Sequence, residues 1–277
     1  MFNKRIAFYI SDQHLVPHGG VGSFFKGFAE LCRDNNWIMD VILDKAVDNE
    51  LTKYANWANY YWPTDTLSYA EHNANYPKMS GDGDSYNMQK IINFQRSQIE
   101  CYKFGLPDAI VINTPEALLA VAYGAMHKYV PTVYYTHQDN AVYWEKPKNN
   151  TFNESYLDMQ QALMGLPGLV LGTQSQNNIH IMHSYMTEDE KKKYDIRLLP
   201  LILSEKSLLE PYNGKREGVM FVGRFEPRKQ PELFAKVVKE AGLKPKCLTN
   251  GSGKRKFEEL FAKLGIEDYE IKASIIG

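Results

Sequence analysis

Val219-Met220-Phe221-Val222-Gly223-Arg224-Phe225-Glu226-Pro227-Arg228-Lys229-Gln230-Pro231-Glu232 runs from a short apolar segment through a basic turn into a helical pattern that continues to Lys239. The apolar run reads as a buried parallel strand and Pro231 as the first residue of a helix. Arg224 and Lys229 therefore stand where a strand hands over to a helix, the place where open α/β sheets bind phosphate. A guanidinium offers a rigid fork to phosphate oxygens and an ammonium a mobile point charge. The pair suits a diphosphate whose charge grows as its bond to a sugar breaks. A solvated basic turn is the competing reading of the same residues.

Working outward, the same alternation recurs along the chain. Strand-like segments are expected at Arg5-Ile10, Met39-Leu43, Ala109-Asn113, Thr132-Thr136, Gly168-Gly172, Arg197-Leu199, Val219-Val222, Lys246-Asn250 and Tyr269-Ile275. Helical patterns lie between them at Val21-Asn35, Met88-Phe104, Glu116-Lys128, Ser155-Met164, Ser175-Tyr185, Pro231-Ala241 and Arg255-Leu264. Continuously apolar strands alternating with helices predict an α/β fold of parallel sheets covered by helices. Leu203-Gly218 is polar and turn-rich and reads as a linker. We expect an N-terminal Rossmann-like domain over residues 1–203, a linker over 204–218, and a smaller domain over 219–277. The smaller domain is expected to be incomplete, because the strand Tyr269-Ile275 would leave an unpaired edge. Trp57-Asp84 is rich in Tyr, Asn, Asp, Gly and Pro and is expected to be a surface insertion.

Composition excludes several classes. The 277 residues are 44% hydrophobic and 13% aromatic, enough for sizeable cores, and carry a net charge of −1, so no global basic field points to nucleic acid. No apolar run approaches the ~20 residues that cross a bilayer, and a cytoplasmic location is expected. Cys32, Cys101 and Cys247 form neither a disulfide framework nor a zinc pattern and are expected to be reduced. Thr187-Glu188-Asp189-Glu190 has the look of a capping box, which makes Lys191-Lys192-Lys193 a solvated helix face. His180 and His183 share a helical face without a nearby third ligand, so a surface helix is the simpler reading than a metal site.

Three further places offer chemistry. After the first strand, His14, His18, Gly19, Gly20 and Gly22 precede a helix, and the glycines let the backbone approach a ligand closely. Asn113, at the end of Ala109-Asn113, is expected to point into the crevice at the carboxyl ends of the strands, or merely to cap the next helix. His137 and Asp139 follow Thr132-Thr136 in the same kind of position, where an imidazole meets a sugar hydroxyl and a carboxylate orients an acceptor or accepts its proton. Asn250-Gly251-Ser252-Gly253 reads as a second glycine loop at a strand end.

The order of these motifs resembles the retaining nucleotide-sugar glycosyltransferases of the GT-B fold, in which two Rossmann-like domains face each other across a cleft. The likeness is strongest over Val219-Gly265 and looser over Gly19-Gly20-Val21-Gly22, His137 and Thr173-Gln174-Ser175. It implies that Arg224 and Lys229 bind the donor diphosphate, with Gly19 and Gly20 approaching it from the first domain. It implies also that Asn250, Gly251 and Gly253 hold the nucleotide, and that His137, with Asp139, meets the transferred sugar and acceptor. Asn113 and His18 would contact the acceptor or sugar. The implied donor is a nucleoside-diphosphate sugar, UDP-linked, and no cofactor or metal is expected. Asp82-Gly83-Asp84 is an Asp-x-Asp, but it lies in the polar insertion and follows no strand.

The family also carries a pair of glutamates on a helix beyond the point reached at Gly277, which leaves catalytic competence of this length of chain open. A narrower resemblance, in Ile112-Asn113-Thr114-Pro115 and Tyr135-Thr136-His137-Gln138-Asp139, is to the α-glucosyltransferases of T-even-like phages that modify hydroxymethylcytosine in DNA. It implies hydroxymethylated DNA as partner and a host-cytoplasmic location. A nucleotide-sugar epimerase and a non-catalytic sugar-nucleotide-binding module stay open as alternatives.

Overall fold

The computed structural model describes residues 3–15, 20–63, 88–135, 161–200, 202, 218–249 and 251–273. The chain divides into two compact units, Met1–Leu208 and Leu209–Gly277. Most of the expected linker, His18, Gly19, His137, Asp139, Asn250 and the start of the helix expected over Ser155-Met164 lie outside the described residues.

The first unit is built on a parallel sheet. Its strands are β1 (Arg5–Tyr9), β2 (Ile38–Ile42), β3 (Asn59–Tyr61), β4 (Ala109–Ile112), β5 (Thr132–Tyr135), β6 (Leu169–Thr173) and β7 (Asp195–Leu198). They lie in the order β3-β2-β1-β4-β5-β6-β7, every pair parallel. The helices are α1 (Gly20–Asp34), the short α2 (Asn49–Thr52), α3 (Met88–Tyr102), α4 (Pro115–Tyr123), α5 (Gln176–Tyr185) and α6 (Glu188–Lys193). β1 shows why both faces are buried. Ala7 and Tyr9 join an apolar cluster with Phe94 of α3 and Leu118 of α4. Ile6 and Phe8 join the opposite cluster with Phe24, Phe25 and Ala29 of α1. Each fully buried phenylalanine contributes roughly 2 kcal/mol of transfer free energy. The strand order reverses between β1 and β4, which makes the crevice beyond their carboxyl ends a topological switch point.

Two expectations are corrected. The segment expected as an insertion over Trp57-Asp84 contributes β3 at its start, paired with β2 at Asp40↔Asn59, Val41↔Tyr60 and Ile42↔Tyr61. Three half-exposed residues without apolar alternation give no strand signal, and it is pairing with the buried β2 that fixes them. Asn113 is not the cap of the following helix. Thr114 is, its Oγ1 accepting from the Ala117 amide at 3.3 Å.

The second unit holds β8 (Val219–Val222), α7 (Pro231–Ala241), β9 (Pro245–Thr249), α8 (Gly251–Leu264) and β10 (Glu270–Ala273), with the strands parallel in the order β10-β9-β8. Its core is aromatic: Phe221, Phe257 and Phe261 pack with Ala235 and Cys247. The expected glycine loop Gly251-Ser252-Gly253 is instead the first turn of α8, four residues ahead of the start read from the sequence. Gly253 is buried within that first turn. All three cysteines are buried and free, and burial pushes each thiol up to about 12, so none is a ready nucleophile. Thr187 and Glu190 make a complete capping box. Lys191 and Lys192 pair with Glu188 and Asp189 on the exposed face of α6, at 2.6 and 3.2 Å.

Candidate functional site

In the second unit the basic turn is held from inside. Phe225 points toward the core and meets the Phe257 ring edge-on at 4.8 Å, so its neighbour Arg224 is turned outward and is two-thirds exposed. Gly223 takes φ 151°, a conformation side chains rarely adopt, while its amide donates to Leu248 O at 3.0 Å. A Cβ there would lie 3.9 Å from Lys229 Cγ, so the glycine and the lysine stem are neighbours across the turn. Lys229 ends a 3-10 turn, Pro227–Lys229, and Gln230 then adopts φ 52° before α7 begins at Pro231. Arg224 Nη1 lies 3.3 Å from Glu226 Oε1, whereas Lys229 has no ion-pair partner among the described residues. The turn thus offers an outward guanidinium, lightly tethered, and an exposed ammonium, both just beyond the carboxyl end of β8.

Beyond β9 the chain enters α8 at Gly251, whose missing side chain would have met nothing within 4 Å. No acidic residue occupies the first turn of α8, so no carboxylate within that turn offsets the positive end of its dipole. Arg224, Lys229, Gly251 and Gly253 are therefore brought to one edge of the second sheet, the carboxyl edge.

In the first unit, Gly20 and Asn113 reach the corresponding edge. Gly20 opens α1, with open space where a Cβ would stand and no acidic residue in the first turn. Asn113 follows β4, and its backbone N–H donates to Tyr9 O at 3.2 Å, placing it at the switch point itself. Tyr135 ends β5, stacked on Phe24 of α1 at 4.3 Å with its hydroxyl donating to Leu199 O, immediately before the segment that carries His137 and Asp139.

Sequence reasoning missed a polar group at this edge. Asp12, in the 3-10 turn after β1, pairs with Lys45 at 2.8 Å. Asp44, just beyond β2, is 3% exposed, and its Oδ2 stands 3.8 Å from Lys90 Nζ of α3. Asn93 donates to Asp44 O at 2.7 Å and Ser97 to Leu43 O at 2.7 Å, so a buried polar stripe of α3 clamps the end of β2. Burial raises the Asp44 carboxyl above its ordinary value, with nearby Lys90 and its own backbone amide opposing and Asp12 and Glu116 adding to the rise. Burial, then Lys90, holds His14 below the usual imidazole range, against Asp12. The missed signal was a charge pair, Asp44-Lys45, directly after the apolar run Val41-Ile42-Leu43. Among the described residues no group of three His, Cys, Asp or Glu side chains is arranged to hold a metal, and His180 and His183 have no third ligand.

No protein-family model matches the chain, and no curated protein matches it by sequence. Solved structures do match. The sucrose-phosphate synthase of Thermosynechococcus elongatus superposes with a TM-score of 0.67 over 99% of this chain and 71% of its own, at 12% identity. Phytolacca americana UGT2, complexed with UDP-2fluoro-glucose and pterostilbene, gives 0.62 at 8% identity, over 98% of this chain and 72% of its own. Anabaena HepE, in complex with UDP and glucose, gives 0.60 at 15% identity, over 98% and 69%. The chain has the α/β, Rossmann-like fold of GT-B glycosyltransferases.

Proposed function

We propose that the chain transfers a sugar from a UDP-linked donor to an acceptor hydroxyl, with retention at the anomeric carbon. The observation that carries the reading is the pair Arg224 and Lys229, presented outward at the carboxyl edge of the second sheet by a turn that Gly223 bends and Phe225 anchors. A diphosphate bound there has its two cations within one turn, and the first turn of α8, which carries no acidic residue, at the same edge of the sheet. In the reaction the bond between the sugar and the diphosphate breaks, the pair of electrons leaves on the phosphate oxygen, and the cations stabilise that charge where it develops. Holding acceptor and donor together supplies the remaining acceleration. Neighbours of the same fold are complexed with UDP, UDP-linked sugar and glucose, which supports the choice of nucleotide.

In this reading Arg224 and Lys229 do the electrostatic work and no metal or cofactor is required. Gly19 and Gly20 approach the diphosphate, Asn250, Gly251 and Gly253 the nucleotide, His137 and Asp139 the reacting sugar and acceptor, and Asn113 with His18 the acceptor side. Hydroxymethylcytosine in DNA is the finer acceptor reading, supported only by the short likeness around Asn113 and His137. The test is incubation with UDP-glucose alone, with glycan acceptors, and with hydroxymethylated or plain DNA. Acceptor-dependent release of UDP supports the transferase, with hydroxymethylated DNA alone active if the phage reading holds. An isomerised sugar nucleotide formed without acceptor points to an epimerase, and donor binding without turnover in any arm to a binding module. Loss of transfer in the Arg224→Ala, Lys229→Ala double variant ties the activity to the turn.

A further inference from the structure

We propose that a groove at the amino ends of β1, β2 and β3 is a second binding site, which takes a neutral oligosaccharide. The groove has a volume of about 530 Å³, within the range of roughly 300–1,000 Å³ typical of small-molecule sites. It opens between the end of α1 and the first residues of the three strands. Trp57 lines it, 37% exposed, with no hydrogen bond or ring contact among the described residues. Ile38, 41% exposed, and Met39 extend the apolar wall. The other indole, Trp37, already has Lys4 Nζ over its ring at 5.5 Å, which leaves Trp57 as the platform for a ligand.

The polar groups around this wall select the ligand. α1 closes with the Trp37 N–H donating to Cys32 O at 2.8 Å and the Asn36 N–H to Arg33 O at 3.0 Å, which puts Asn36 in the left-handed region at φ 54°. Glycine holds such a position without strain, yet here an asparagine lines the groove, and its side-chain amide has no partner among the described residues. Asn59, at the start of β3, donates Nδ2 to Asp40 Oδ1 at 3.0 Å. A carboxylate only accepts, so this bond fixes the amide and leaves Asn59 Oδ1 as an acceptor. Arg33 Nε and Nη2 both lie 2.9 Å from one oxygen of Asp34, which balances the guanidinium and leaves Nη1 as a donor. An anion is therefore poorly matched. Donors and acceptors come from the end of α1, from β3 and from Asn3 ahead of β1, on several sides of the indole. A sugar ring has hydroxyls around its rim and an apolar C–H face to lay on Trp57, and so satisfies both. The five residues of β1 put roughly 16 Å between this groove and the carboxyl edge, so it retains a glycan and takes no part in the chemistry.

The test uses the full chain, with maltotriose, cellotriose and chitotriose as probes, uridine and sodium sulfate as competitors, and ligand-observed NMR for binding. The expected result is millimolar binding of at least one trisaccharide to the wild type, about tenfold or more weaker in Trp57→Ala and several-fold weaker in Asn36→Gly, with no displacement by either competitor. Asn36→Gly should keep the wild-type fold, because glycine adopts the left-handed conformation freely, so it decides the matter if Trp57→Ala does not fold. UDP binding, measured in parallel, should be unchanged in both variants. Absence of binding by all three trisaccharides overturns the proposal, as does binding unchanged in either folded variant. Displacement by uridine or sulfate, or a parallel loss of UDP binding in the variants, overturns it too. The proposal does not rest on the transferase reading: failure of UDP to bind the wild type strikes that reading alone, and the trisaccharide arms, run without donor, still decide whether the groove is a site.

Discussion

Arg224 Nη1 lies 3.3 Å from Glu226 Oε1, two residues along the same turn, so the guanidinium that faces the proposed diphosphate is tethered by a carboxylate of its own loop. The tether holds Arg224 in the turn when no ligand is bound and competes with an incoming phosphate. Arg224 is two-thirds exposed and Glu226 partly so, at a separation longer than a good hydrogen bond, so the pair itself adds little stability. Glu226→Gln should therefore leave the melting temperature within about 1 °C and strengthen UDP binding by a few-fold, because one competing charge is removed. Calorimetric titration of UDP checks this; weaker binding in the variant would mean that Glu226 orients Arg224 rather than competing for it.

Gly27 sits in the middle of α1, where alanine ordinarily stabilises a helix by roughly 1 kcal/mol. Here a Cβ would stand 2.3 Å from Ile202 O and 2.9 Å from its carbonyl carbon, both backbone atoms that cannot yield cheaply. Gly27→Ala should reverse the usual sign and destabilise the first unit by about 1–3 kcal/mol, read as a lower denaturation midpoint. A rise in that midpoint would show that residue 202 does not pack against α1.

Arg5 and Asp40 form a buried ion pair at the other pole of the sheet, with Asp40 also accepting from Asn59 of β3 at 3.0 Å and Arg5 donating to Cys101 O at 3.0 Å. Asp40→Ala strands the guanidinium and releases β3, and should cost about 3–5 kcal/mol of stability. Urea unfolding monitored by circular dichroism reads the loss; a change below about 1 kcal/mol would contradict the account of what holds β3.

His127 is 6% exposed, and burial, then Lys128, holds its imidazole below the ordinary value of 6.5. The folded state favours the neutral form. The unfolded chain therefore takes up a proton first as pH falls through about 6.5, and stability drops from there toward the depressed folded-state value. His127→Gln should flatten the thermal-stability profile as pH falls below about 6.5; a profile as steep as wild type would place the acid sensitivity elsewhere.

The alternation of strand-like runs and helical patterns made nine of the strands legible, most plainly β1, β4 and β6, whose buried residues write themselves as continuous apolar runs. Asn59-Tyr60-Tyr61 was not legible. It is held by its partner β2 and by Asn59 reaching Asp40, neither of which leaves a local mark. Gly251-Ser252-Gly253 looked like a loop because glycine is a poor helix former, and the burial of Gly253 in the first turn of α8 leaves no mark in the local sequence. At the candidate site, Arg224 and Lys229 were visible from their position after a strand. Asp44 follows a strand in the same way, but its partner Lys90 is 46 residues distant in sequence, and its burial depends on α3 lying over β2.

The central claim is that the turn from Gly223 to Lys229 binds a nucleoside diphosphate, and calorimetric titration of UDP and UDP-glucose into the full chain tests it most directly. The account predicts saturable binding with one site per chain, weakened on the order of tenfold or more by Arg224→Ala and by Lys229→Ala, each variant keeping the wild-type melting temperature. Binding that is unchanged in the double variant, or no binding of either nucleotide to the wild-type chain, would contradict it.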